Sequence, residues 1–387
     1  MLSVVLEINL VRTLRWLMSI LIALAVSGLV SCGSSSTNTV SSTDTMYVTA
    51  KASHGVWGYY ADFNIGSLQQ IGGSPFSTQQ GPTAIAINPA HTFAYVANSG
   101  SNTVSGYTFD LNGSMIANGT QAVGANPTAL AIDTGGKFLF VANQNSGDLS
   151  VFAIAANGTL TTVQSQVPIP NLQCPVPLLL PCPAPVALAI TPSTSFLYVA
   201  DQQQNLVFTF QINSNTGVLR PNPTLPPVST GSAPSALAMD AAGTLLYSAN
   251  RDSESVSGFA ISADNSAIPG NLTPISGSFG TGLSPVAAAI DPSGQFLYVV
   301  DRDSNQVSGF RIKAVIGTLS ALSNSPYNSG PAPDGIAISP TNKFMYVSNS
   351  GDSSISAYKI NPAGGDLIPA SGTVPTGAQP AGIAFGR

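Results

Sequence analysis

The chain has 387 residues, of which 7% are charged, with 12 basic and 17 acidic side chains and a formal net charge of −5. No basic run or patch stands out, so the electrostatic footprint of a nucleic-acid-binding protein is missing. Hydrophobic residues make up 44% of the chain, enough for a large core, and 37 Gly with 29 Pro point to many turns rather than long helices.

From the N-terminus, Arg12 and Arg15 precede the apolar run WLMSILIALAVSGLV at 16–30. The run is shorter than the roughly 20 residues a membrane-spanning helix needs, and it reads as a targeting segment. It ends in LVSC, which resembles the lipobox of bacterial lipoproteins. The resemblance implies a signal peptide over 1–31, cleavage before Cys32 and lipidation of its thiol. Residues 32–45 are Ser/Thr-rich with little to bury, and they read as a lipidated tether ahead of a folded domain at 46–387. The expected location is exported and membrane-anchored, facing the periplasm or the cell surface.

Across the folded part an aromatic residue recurs at Tyr47, Tyr95, Phe140, Tyr198, Tyr247, Tyr298 and Tyr346. The spacing is 45–51 residues except for one gap of 58, which holds the insertion NLQCPVPLLLPCP. Several strands in a period of about 40–50 residues are what a propeller blade requires.

The copy SPVAAAIDPSGQFLYVVDRDSNQVSGF at 284–310 shows the parts. A short strand of small residues comes first, as crowding of inner strands around a propeller axis demands. A turn follows, then a nearly continuous apolar strand suited to burial between stacked blades, then a third strand and a variable fourth. The first repeat starts at TMYVTA without an inner strand, and the chain ends in the inner-strand sequence PAGIAFGR at 380–387. Pairing the two ends completes a seventh blade three-plus-one, so the expected fold is an all-β, seven-bladed propeller of four-stranded blades.

Cys174 and Cys182, inside the insertion, are the cysteines left besides Cys32. An exported setting and the short Pro-rich loop between them favour one disulfide. No histidine nearby completes a ligand set, so no metal is expected, and no strand–Gly-loop–helix pattern suggests a phosphate-binding cofactor site.

The wording YVAN…NTVSGY at 95–107 resembles the YVTN-type and lactonase-like seven-bladed propellers, over residues 46–387. That group includes bacterial 6-phosphogluconolactonase and the fungal muconate cycloisomerase. Its lactonases write Pro-Arg-His at the start of an inner strand and Asn-Glu after a strand end. The Arg-His pair is replaced here by Thr83-Ala84, Thr128-Ala129, Val186-Ala187, Ser235-Ala236, Val286-Ala287 and Asp334-Gly335. The Glu position holds Ser99, Gln144, Gln202, Arg251, Arg302 or Ser350, never a carboxylate. The catalytic residues implied by the resemblance therefore have no counterparts in this chain.

Loops between second and third strands lie on the face where propeller sites usually form. Lys51, Arg251 and Arg302 occupy one equivalent position there in three repeats, and Asp334 starts an inner strand. His54, in the corresponding loop of the first repeat, would neighbour Asp334 around the ring. His54, Asp334 and Arg302 are thus the candidate acid–base group, with Lys51, Asp201, Arg251 and Asp301 as candidate ligand contacts. Asp201 and Asp301 belong to an Asn/Asp series with Asn98, Asn143, Asn250 and Asn349, which side-chain bonds to the following loop also explain. His91 takes a turn position held by Gly or Asn in other repeats, and a left-handed backbone is expected.

Two functions stay open. One is an envelope lipoprotein that binds a small ligand or an envelope protein at the channel mouth. The other is a lactone hydrolase, a carboxylic-ester hydrolase with a diverged site. A monomer without cofactor or nucleic acid is expected in either case.

Overall fold

A computed structural model describes residues 43–172, 183–370 and 372–386. Cys32, Cys174 and Cys182, with the lipidation and disulfide expected of them, lie outside the described residues. The described chain forms seven antiparallel sheets, each running from an inner to an outer strand. The propeller starts at Thr43, ahead of the expected residue 46, because Thr43 pairs with Asp62 at the far end of the strand Thr43–Ala50.

The inner strands are Pro380–Phe385 in blade 1, Pro82–Ile87 in blade 2 and Pro127–Ile132 in blade 3. Blades 4 to 7 follow with Pro185–Ile190, Pro234–Met239, Pro285–Ile290 and Pro333–Ile338. Each lies against the next in order, and Pro380–Phe385 touches both Pro333–Ile338 and Pro82–Ile87, which closes the ring. Blade 1 is built from both ends of the chain, with Met46 opposite Phe385, Tyr47 opposite Ala384 and Val48 opposite Ile383. The three-plus-one closure expected from the repeats is therefore present.

Crowding at the axis explains the small residues. A Cβ on Gly335 would stand 2.0 Å from the carbonyl oxygen of Ala381, and one on Gly382 would stand 2.9 Å from that of Thr83. The second strands are the most buried elements: Phe138–Asn143, Phe196–Asp201, Phe296–Asp301 and Phe344–Asn349 are buried at every position. Their two faces feed the apolar clusters between successive blades, such as the one joining Tyr298 and Val300 of blade 6 to Met345 and Val347 of blade 7.

The recurring tyrosine does more than fill space. Its hydroxyl donates to a glycine carbonyl in the next blade's turn between third and outer strands: Tyr47 to Gly113 (2.5 Å), Tyr95 to Gly158 (2.8 Å) and Tyr198 to Gly270 (2.9 Å). Tyr247 to Gly317 (2.6 Å), Tyr298 to Gly365 (2.5 Å) and Tyr346 to Gly66 (3.3 Å) continue the series. These glycines have φ of 68–79° or, at Gly158, 82°, a left-handed backbone that costs glycine little. Blade 3 carries Phe140 in place of the tyrosine.

The variable fourth strand takes two forms. Blades 2 and 3 have unbroken outer strands, Met115–Ala122 and Leu160–Pro168. In the other five it splits into a three-residue and a two-residue piece. Where it departs in blades 1 and 6, Ser74 and Ser325 hydroxyls accept from the freed Gly58 and Gly309 amides, both at 2.9 Å. No buried donor is left open there.

Candidate ligand site at the channel mouth

The residue after each second strand is held by one repeated bond, and four of the seven, Lys51, Gln202, Arg251 and Arg302, line the channel mouth. Backbone N–H groups of Lys51, Ser99, Gln144, Gln202, Arg251, Arg302 and Ser350 donate to the carbonyl just before the proline that starts their own blade's inner strand, at 2.8–3.0 Å. Seven equivalent positions thus ring one end of the channel, and the differences between them set its chemistry.

A cavity of about 420 Å³ opens at this end, and all seven inner strands contribute to its wall. Its charged lining residues are Lys51, Arg251, Arg302 and Asp334, three cations against one carboxylate. Asp334 Oδ1 accepts from Arg302 Nη2, and Oδ2 lies 3.6 Å from Lys51 Nζ. Asp334 is the enclosed member, its side chain 14% exposed, while Arg302 and Lys51 keep 37% and 38%. Arg302 Nε is buried without a hydrogen-bond partner. Arg251 Nε bonds Asp252 Oδ1 at 2.7 Å on the exposed rim.

Gln202 lines the wall as well and accepts from Gln144 Nε2 at 3.1 Å. Sequence reasoning registered it as a departure from the family's glutamate, although its place in the series with Arg302 marked it as a mouth residue. Hydroxyls at the strand starts turn away from ligand duty. Thr83 donates to Pro127 O (2.9 Å) and Ser235 to Pro285 O (2.7 Å), stitching adjacent inner strands.

Of the candidate residues, the fold gathers Lys51, Arg251, Arg302 and Asp334. His54 does not join them. It sits in the turn at φ 51°, exposed, and its Nδ1 accepts from Gly81 N at 3.2 Å. Asn102, Asn205 and Asn305 fill the same place at φ 54–57°. Their side-chain oxygens accept from Asn126, Ala233 and Ala332 amides at 2.7–2.8 Å. His54 is therefore the blade 1 copy of a brace between blades, and it makes no bond to Asp334.

Asp201 and Asp301 are fully buried and absent from the cavity wall. Asp201 accepts from Ala184 N (2.8 Å), Gln203 N (3.1 Å) and Gln204 N (2.9 Å). Burial raises its pKa, and those bonds oppose the rise. Asp301 accepts from Ser308 Oγ at 2.7 Å and leaves Oδ1 unpaired. Burial pushes its pKa up to about 6. Where other blades use Asn, the amide donates to third-strand hydroxyls, as Asn349 does to Ser354 and Ser356, both at 2.9 Å. Asn98, Asn143, Asn250, Asp301 and Asn349 thus tie second to third strands, whereas Asp201 binds the loop that follows it and the amide of Ala184. His91 has the left-handed turn expected of it, at φ 54°. No cluster of His, Cys, Asp and Glu able to hold a metal occurs among the described residues.

The fold has close solved counterparts. A candidate 6-phosphogluconolactonase from Bacteroides fragilis is 21% identical, with a TM-score of 0.79 over 90% of this chain and 99% of its own. A second such protein, from Bacteroides uniformis, is 19% identical with a TM-score of 0.78, covering 89% of this chain and 99% of its own. The periplasmic gluconolactonase PpgL of Pseudomonas aeruginosa is 21% identical with a TM-score of 0.73, covering 89% and 99%. At these identities the likeness is one of fold. No protein of curated function matches the sequence. The family described as lactonase, 7-bladed beta-propeller, matches residues 41–177, 184–279 and 222–332. This chain belongs to the lactonase seven-bladed β-propeller family.

Proposed function

We propose that the protein is an envelope lipoprotein, anchored through Cys32, whose propeller works as a binding module for a small anionic ligand, of the sugar-acid class, at the channel mouth. The observation that carries this reading is the Lys51–Asp334–Arg302 group with Arg251 beside it, a net positive wall on a net negative chain. A ligand carboxylate would compete with Asp334 for both cations, and Arg302 Nε offers an unsatisfied donor next to it. Sugar hydroxyls would meet Gln202 and the backbone of the inner strands. Calorimetry with gluconate and related aldonates tests the reading, with Arg302→Gln expected to abolish binding; binding of equal strength in that variant would refute it.

Family membership favours a second reading, hydrolysis of a sugar lactone. Water oxygen would bond to the lactone carbonyl carbon, the ring C–O bond would break, and the water's proton would pass through Asp334 to the released alkoxide. Arg302 and Lys51 would hold the oxyanion. Both oxygens of Asp334 face cations, so a base role requires the substrate to loosen that group first. Turnover of gluconolactone above the uncatalysed rate, lost in Asp334→Asn, would favour this reading over the first.

A further inference from the structure

A second cavity, about 540 Å³, opens at the opposite end of the strands, at the seam between blades 7 and 1. Its floor is apolar, from buried Phe63, Phe344 and Ile360, and its rim carries the exposed side chains of Lys343 and Lys359. Among the described residues neither lysine makes an ion pair, whereas all three cations at the mouth do. Ile65, next to the lining residue Asn64, is 62% exposed. Two acids lie nearby and both are engaged: Asp62 accepts from the Asn64 amide of its own turn, and Asp291 accepts from Nδ2 of the lining residue Asn342, both at 2.7 Å.

The path of the chain fixes which end this is. Thr43 pairs with Asp62, the residue before Phe63, so the chain joins the propeller beside this groove. It then runs through Thr43–Ala50 to Lys51 at the mouth. Eight residues of strand span about 25 Å, which puts groove and mouth on opposite faces. The ten residues from Gly33 to Ser42 reach at most about 35 Å when fully extended.

We infer that the groove at the seam of blades 7 and 1 is a docking site for an anionic lipid surface, and that it holds the mouth pointing away from the bilayer. The inference rests on the membrane-anchored reading of the N-terminus. Exposed Ile65, beside the groove floored by Phe63 and Phe344, gives the apolar component of an interfacial contact, and Lys343 and Lys359 meet the headgroup charge. Two lysines bind weakly alone, but a tether entering next to them supplies the effective concentration.

The test replaces residues 1–32 by a hexahistidine tag held on nickel-chelating lipid, so docking is read whether or not Cys32 is lipidated. Trp57, near the mouth, is then the one tryptophan, and Ile65→Trp places a second at the groove. On vesicles containing phosphatidylglycerol and brominated lipid, the Ile65→Trp signal should be quenched and Trp57 should not. Reversing both lysines (Lys343→Glu with Lys359→Glu) should cut the docked fraction at least about tenfold, as each basic side chain near an anionic surface contributes about fivefold. An unchanged melting curve shows that the surface variants fold. Quenching of Trp57, quenching that survives charge reversal or is equal on phosphatidylcholine, or no quenching at Ile65→Trp overturns the docking site. Mass spectrometry of Cys32 from cells tests the anchor separately.

Discussion

The hydroxyl of Tyr346 in blade 7 donates to the carbonyl of Gly66 in blade 1, 280 residues away in sequence and 3.3 Å away in space. This bond crosses the junction between blades 7 and 1, and it repeats a contact made at five other blade junctions. The ring is therefore held by one tyrosine–glycine bond per junction as well as by apolar packing, with Phe140 the exception.

Removing one such hydroxyl leaves a glycine carbonyl without its buried donor. Tyr298→Phe, which deletes the 2.5 Å bond to Gly365, should destabilise the protein by about 1–2 kcal/mol and lower its melting temperature. Phe140→Tyr should be neutral or slightly stabilising. A melt of Tyr298→Phe matching the unmodified protein would remove the hydroxyl from the account.

Closure of the ring depends on Gly335. Its substitution by Ala drives a methyl into the Ala381 carbonyl at 2.0 Å, so the inner strands of blades 7 and 1 must separate. A loss of about 2–3 kcal/mol is expected, at the upper end of overpacking costs. Deleting residues 380–386 should be more severe, since it strips blade 1 of its inner strand. An unchanged melt in either variant would contradict the closure.

Asp301 makes stability depend on pH. Its folded pKa, about 6, lies above the ordinary carboxylate value of 3.8, so the fold favours the neutral form. The contribution of Asp301 to stability is fully present below the unfolded pKa and is lost as pH rises through about 6, by about 2–3 kcal/mol in all. Asp301→Asn restores the residue that four other blades use, and it should raise the melting temperature at pH 7.5 with little gain at pH 4. A gain independent of pH would argue against a buried ionised carboxylate.

His54 separates a brace from a catalyst. His54→Asn should keep both stability and binding at the mouth, because Asn102, Asn205 and Asn305 make the same bond. His54→Ala should cost about 1 kcal/mol with ligand affinity unchanged. Loss of affinity or turnover in His54→Asn at full stability would return His54 to the site.

The fold was legible because each blade repeats one pattern of small strand, turn and apolar strand, and because the unpaired strands at the chain's two ends complete each other. Lys51, Arg251, Arg302 and Asp334 were legible as mouth residues for the same reason: they differ at positions the repeat holds in place. The role of His54 was not, because its partner is a backbone amide of the next blade, which no spacing reveals. Asp201 and Asp301 stayed open between a bond to the following loop and a contact in the channel, because a carboxylate at a strand end looks the same in sequence either way; Asp201 bonds Gln203 and Gln204 of that loop, and Asp301 bonds Ser308 of the third strand. The tyrosine hydroxyl bonds were hidden too, since each glycine lies 63 or more residues away.

The account turns on whether the mouth binds an anion through Arg302 and Lys51. Isothermal titration of the full chain with gluconate, alongside gluconolactone turnover in the same preparation, tests this most directly. One site per chain, lost in Arg302→Gln and in Lys51→Gln, with the lactone opening at its uncatalysed rate, is the predicted result. Absence of binding together with lactone turnover that requires Asp334 would contradict it.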